Sequence, residues 1–235
     1  MRDENGMIRA AGASLVASAL GFVAVFSVLA RQFSYPDILE ASPSVVLPAL
    51  LEGGISLRVT WWVYSLLPLL LLPAAAGAFQ ALKGEREGVM RVASYFAVLA
   101  ALTLTLGLIR WPSLNWELAR LHAAAAPTER AAIEVLVIGF NRYLGTYVGE
   151  HLGELFLNGW FVMSGAAILR CARFPKWVAW VGICVGVLGL VGMFRFASAL
   201  VEPVSAVNNL LLPAWLIFYG IALWKWGPLP SQEER

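Results

Sequence analysis

Residues 61–82 read WWVYSLLPLLLLPAAAGAFQAL, a run in which no side chain carries a charge. A helix rises about 1.5 Å per residue, so a run of this length crosses the roughly 30 Å hydrocarbon core of a bilayer. Trp61, Trp62 and Tyr64 open it, as aromatic residues do at a membrane interface. Pro68 and Pro73 are expected to kink it.

Composition extends that reading to the whole chain. Hydrophobic residues form 60% and charged residues 14% of the 235, against roughly 45–50% and about 25% in soluble domains. The excess falls in blocks of about twenty, each the length of a span. Candidate spans cover about 8–30, 60–82, 92–110, 148–170, 177–196 and 208–226. The expected fold class is therefore all-α: a polytopic membrane helix bundle with about six transmembrane helices, in one integral membrane domain over 1–235. Segments 31–58 and 112–141 hold prolines, a Gly53-Gly54 pair and more charges, and are expected to form loops with short amphipathic outer helices. A capping pattern is expected at Thr128, with Glu129 and Glu134 nearby.

The first block is rich in Ala, Gly, Ser and Val, which allow close helix packing in lipid. Asp3 and Glu4 before it, and its length, argue for a retained span rather than a cleaved signal peptide. Lys83, Arg86 and Arg91 in one tight turn and Arg170, Arg173 and Lys176 in another fall on one side of a six-span arrangement. Arg2, Arg9, Lys225 and Arg235 join them, so that side is expected to be the cytoplasm, with both termini on it. Three spans plus three would be an inverted arrangement. Topology alone does not make a transporter.

A net charge of +2 and the absence of a Lys/Arg-rich run argue against nucleic acid as a partner. The expected partners are the lipid bilayer and either a small amphipathic ligand or another membrane protein. Cys171 and Cys184 form no CxxC pair and read as small packing residues.

One polar constellation interrupts the apolar pattern, in the segment from Asn141 to Asn158. As an α-helix it places Tyr143, Tyr147, Glu150, His151, Glu154 and Asn158 on one face, at steps of three and four. Gly145, Gly149 and Gly153 form a second stripe that admits a neighbouring backbone. Counting back about twenty residues from Arg170 puts Glu150 and His151 at the outer boundary, Glu154 one turn inside it and Asn158 deeper. The same count brings Arg110, Arg195, Asn208 and Asn209 to that level. A carboxylate inside a membrane needs a partner, and Arg195 or Arg110 is expected to supply it to Glu154.

Glu150, His151 and Glu154 are also the one set whose spacing would allow a metal to bind. His122 and His151 could in principle ligate a haem, although no attachment motif accompanies them. Acid–base chemistry by His151 with Glu154 lacks an identifiable nucleophile. No cofactor is expected, and the reading leans away from an enzyme. Trp61, Trp62, Trp111, Trp116, Trp177, Trp180, Trp224 and Trp226 are expected in interfacial belts, and Trp160 and Trp215 deeper.

Tyr35 to Leu39 (YPDIL), Asn141 to Gly145 (NRYLG), Gly149 to Gly153 (GEHLG) and Phe174 to Gly182 (FPKWVAWVG) occur in an order that resembles the domain-of-unknown-function 4386 family of bacterial membrane proteins. The resemblance covers nearly the whole chain. It implies multi-pass topology and an inner-membrane location, and carries no activity. The expected function is binding or moving a small amphipathic molecule in an outward-facing polar pocket, with candidate residues Arg110, Tyr143, Tyr147, Glu150, His151, Glu154, Asn158 and Arg195. The rivals are a membrane enzyme or redox/metal-binding subunit using His151 with Glu150 or Glu154, and an accessory subunit docking through the glycine stripe.

Overall fold

The structure, a computed structural model, describes residues 2–227 and contains helices and connecting turns with no strand among them. Arg235 and the Arg2 side chain, both used in the orientation reading, lie outside the described parts. Among the described residues, five helical stretches are long and apolar enough to cross a membrane: Asp3–Phe33, Gly54–Gly84, Arg86–Ala124, Lys176–Phe196 and Ala199–Trp226.

Helix α1 covers Arg2–Phe33. A 3-10 turn at Asp37–Glu40 and a short helix α2, Pro43–Glu52, follow. Helix α3, Gly54–Leu66, starts six residues before the expected 60, because Gly54 itself makes the break with φ of +59°. Pro68 sits in a 3-10 turn, Leu67–Leu70, and Pro73 in the first turn of α4, Leu71–Ile109. Neither position needs the missing N–H, so the path through both prolines stays helical. The turn expected at 83–91 is reduced to one non-helical residue, Arg86 at φ −154° and ψ 66°.

The segment 112–141 holds helices α5, Trp116–Ala124, and α6, Pro127–Phe140. Thr128 does not cap α6. Pro127 takes the first helical position, so Ala126 stands at the cap, and its N–H donates to the Glu129 carboxylate at 3.0 Å. The expected span at 148–170 is built from two helix types. A π-helical segment, Asn141–Leu152, runs into α7, Gly153–Ile168. At 16 residues α7 is shorter than the five long apolar stretches, which have 21 to 39. Helices α8, Lys176–Gly192, and α9, Glu202–Trp226, follow.

The chain divides into two compact units. One comprises Met1–Leu20, Pro68–Leu102 and His151–Arg235, the other Gly21–Leu67 and Thr103–Glu150. In the first, α7 packs on α8 and α8 on α9. Asn158 fits against Gly189, where any Cβ would overlap its side-chain amide. Trp160 and Trp215 are buried, with Trp215 stacked on Tyr219 at 5.2 Å. The start of α1, the residues before Arg86, the α7–α8 turn and the end of α9 meet at one end of this unit. Lys83 pairs with Glu4 at 3.2 Å, and the Arg173 guanidinium donates to the carbonyls of Ala81 and Gly227.

The second unit is organised by aromatics. Trp61 and Trp111, expected in the belts, are instead core residues, 0% and 2% exposed and stacked at 4.8 Å. Phe33 meets both rings edge-on, and Tyr35 meets Trp61 at 5.6 Å. Their indole faces find aromatic partners here, while Trp62, one position along the helix, is 39% exposed. Trp61→Ala is therefore expected to cost about 3–5 kcal/mol, and Trp62→Ala to change stability by no more than about 0.5 kcal/mol. Equilibrium unfolding of the two variants in mixed micelles checks the contrast.

Candidate functional site

The polar residues singled out by spacing fall into two groups, one within each unit. In the first unit, Glu154 lies in the first turn of α7, and Arg195 lies in the 3-10 turn Met193–Phe196 that ends α8. The Arg195 guanidinium donates to both carboxylate oxygens, Nη1 to Oε2 at 2.7 Å and Nη2 to Oε1 at 2.8 Å. This fork-to-fork geometry is the strong form of the pair. Of the two expected partners, Arg195 is the one that binds Glu154. The side chains retain 17% and 21% exposure, so the pair is largely but not completely withdrawn from its surroundings. Arg195 also reaches the Gly192 carbonyl at 3.3 Å and lies 4.4 Å above the Phe196 ring.

His151 and Asn158 extend this group along the same helix. His151 Nδ1 donates to the Met193 carbonyl at 3.3 Å, which selects the tautomer protonated at Nδ1, and its ring meets Phe194 edge-on. Asn158, fully buried, donates from Nδ2 to the Glu154 carbonyl at 2.8 Å. Two side chains, Glu154 and His151, thus fasten this helix to the turn that ends α8, while the Asn158 amide bonds within its own helix.

The second unit holds Arg110 and Glu150. The Arg110 Nε donates to Asn141 Oδ1 at 2.9 Å, and Asn115 Nδ2 donates to the same oxygen at 3.0 Å. Arg110 Nη1 also donates to the Gly107 carbonyl. One amide oxygen therefore ties together two π-helical segments, Trp111–Asn115 and Asn141–Leu152. The segments close up because Gly145 packs on the Arg110 guanidinium and Gly149 on Gly107, where a Cβ on Gly107 would stand 2.5 Å from the Gly149 Cα. Glu150 lies close enough to act electrostatically on both Arg110 and Tyr35. Burial holds the Tyr35 hydroxyl above its ordinary titration range, the Glu150 charge adds to that, and Arg110 opposes it.

Tyr143 and Tyr147 do not share the buried polar face. They are 64% and 48% exposed, whereas Asn158 is fully buried. The reason is local: in a π-helix bonds run from i to i+5, so steps of three and four no longer stay on one side. The glycine stripe is buried within the chain at Gly145, Gly149 and Gly153. No group of three or more His, Cys, Asp or Glu placed to hold a metal occurs among the described residues. His122 bonds through Nε2 to Glu134 at 2.9 Å in the second unit, while His151 belongs to the first. Sequence spacing missed Asn115, Asn141 and Tyr35 as partners. Asn141 opens the polar segment, and an amide at the edge of a span is the signal that could have found it.

Removing one member of a largely buried ion pair strands the other charge. Glu154→Gln or Arg195→Gln is expected to cost about 3–5 kcal/mol, and the double change Glu154→Leu with Arg195→Leu to recover most of it. Thermal unfolding of the three variants checks the order.

Residues 10–220 of this chain match the family described as Domain of unknown function (DUF4386). No curated protein and no solved structure matches it. The family match runs from Ala10 in α1 to Gly220 in α9, including both polar groups, and on that extent the chain belongs to the DUF4386 family.

Proposed function

We propose that this chain is a multi-pass protein of the bacterial cytoplasmic membrane, with both termini in the cytoplasm, that binds or moves a small amphipathic molecule at His151, Glu154 and Arg195. The topology draws on two supports. Adding α7 to the five long stretches gives an even number of crossings, and the contacts of Glu4, Lys83 and Arg173 gather the start of α1 and the end of α9 at one end of their unit. Lys83, Arg86, Arg91, Arg170, Arg173 and Lys176 cluster around that end, and short basic connections stay in the cytoplasm.

The ligand reading is carried by the Arg195–Glu154 pair. Ionisable groups within spans mark the paths of ligands and ions. This pair sits at the end of α8, is still about a fifth exposed, and is flanked by Phe194 and Phe196, which are 52% and 39% exposed. An anionic head group competes with Glu154 for the Arg195 fork, and an apolar body lies along the two rings. The π-helical stretch that runs into Glu154 supports the same reading, since π-helical turns are frequent at functional sites.

A thermal-shift screen of the purified protein against amphipathic anions, amphipathic cations and uncharged analogues tests this. The expected result is that at least one anion raises the Tm of the native chain and leaves Arg195→Gln unmoved. Equal shifts in both proteins, or none across the anions, would overturn the ligand reading.

A further inference from the structure

Beyond the Glu154 site, α1 and α9 enclose an open groove of about 650 Å³ whose walls include Ala13, Val16 and Ala17 on one side and Gly220, Ile221 and Trp224 on the other. The two helices run antiparallel. A Cβ on Gly12 would stand 2.5 Å from the Gly220 carbonyl oxygen, and one on Gly227 would stand 2.6 Å from Ile8. Their backbones therefore touch at Gly12 and Gly220, and the groove opens beside that crossing.

We propose that this groove holds one anionic phospholipid of the bilayer, with an acyl chain against the small-residue walls and the phosphate between Arg9 and Lys225. Four observations choose this occupant. The walls are apolar apart from Lys225, with small residues at Gly12, Ala13, Ala17 and Gly220, which suits a flexible hydrocarbon chain rather than a polar solute. Lys225 lines the groove at its α9 end, and Arg9 lies one helical turn before Ala13 on the same face of α1, so the antiparallel crossing brings both cations to one mouth. Arg9 and Lys225 are exposed, and neither is in an ion pair with an acidic side chain among the described residues. Trp224, 53% exposed, stands at the same mouth, where an indole sits at head-group level. Basic sites between membrane helices on the cytoplasmic side bind anionic head groups. The proposal uses the membrane placement given above and is independent of any ligand at Glu154.

The test reads lipid retained by the full chain in native mass spectrometry, after delipidation and exchange into micelles containing phosphatidylglycerol or phosphatidylcholine with the same acyl chains. The native chain is expected to retain one phosphatidylglycerol in preference to phosphatidylcholine. Arg9→Gln with Lys225→Gln is expected to lower that preference roughly 30-fold, the combined effect of two basic residues at a membrane surface. Ala17→Phe, at an exposed position in the groove wall, is expected to abolish retention of both lipids while leaving the Tm of the lipid-free protein unchanged. Equal retention of the two lipids by the native chain, undiminished binding to Ala17→Phe, displacement by glycerol phosphate alone, or a dimer formed in place of the lipid complex would each overturn the proposal.

Discussion

A carboxylate within an apolar helix fixes more of this structure than any other single residue type. Glu154 stands at the first turn of α7, in a chain where charges are scarce, and an ionised group there costs several kcal/mol without a counter-charge. Arg195 answers it with both arms of the guanidinium. That requirement sets where α8 must end. The 3-10 turn at Met193–Phe196 holds Arg195 where its guanidinium reaches back to α7, and the Met193 carbonyl of the same turn accepts from His151. Asn158 then sits one turn deeper, and only a glycine at position 189 leaves room for it. Helix packing and charge satisfaction are one constraint here.

The second unit solves a similar problem with neutral amides. Arg110 has the Asn141 oxygen, the Gly107 carbonyl and the nearby Glu150 charge, and Asn141 in turn accepts from Asn115. Bonding of this density distorts the helices that supply it, and both strands of the network are π-helical where they meet. Beside it the core is aromatic. Trp61, Trp111, Phe33 and Tyr35 pack edge to face, with one stacked pair, an arrangement worth more than the area it buries.

Much of this was legible in the residues. Apolar block length located the helices, and counting turns back from Arg170 placed Glu154 near Arg195. The features that were not legible share a cause, which is that they depend on what lies across from a residue rather than beside it. Trp61 and Trp62 have the same neighbours in sequence, yet one is stacked in a core and the other is exposed. Tyr143 and Tyr147 follow α-helical spacing, but the π register turns them outward. Thr128 has a capping pattern, but Pro127 had already taken the first helical position. Asn141 accepts from two residues 31 and 26 positions away, a relation no local window contains.

The division into two units has a consequence for biosynthesis. The unit of Gly21–Leu67 and Thr103–Glu150 is covalently complete once residue 150 has been made. The other contains the first twenty residues yet needs α8 and α9, including the contact of Gly12 with Gly220. At about 5–20 residues per second, the interval between those two points of synthesis is on the order of ten seconds. Throughout it the opening half of α1 has α4 beside it at Gly77 and Lys83 but lacks α9, so Gly12 and the small residues next to it face lipid until Gly220 has been made.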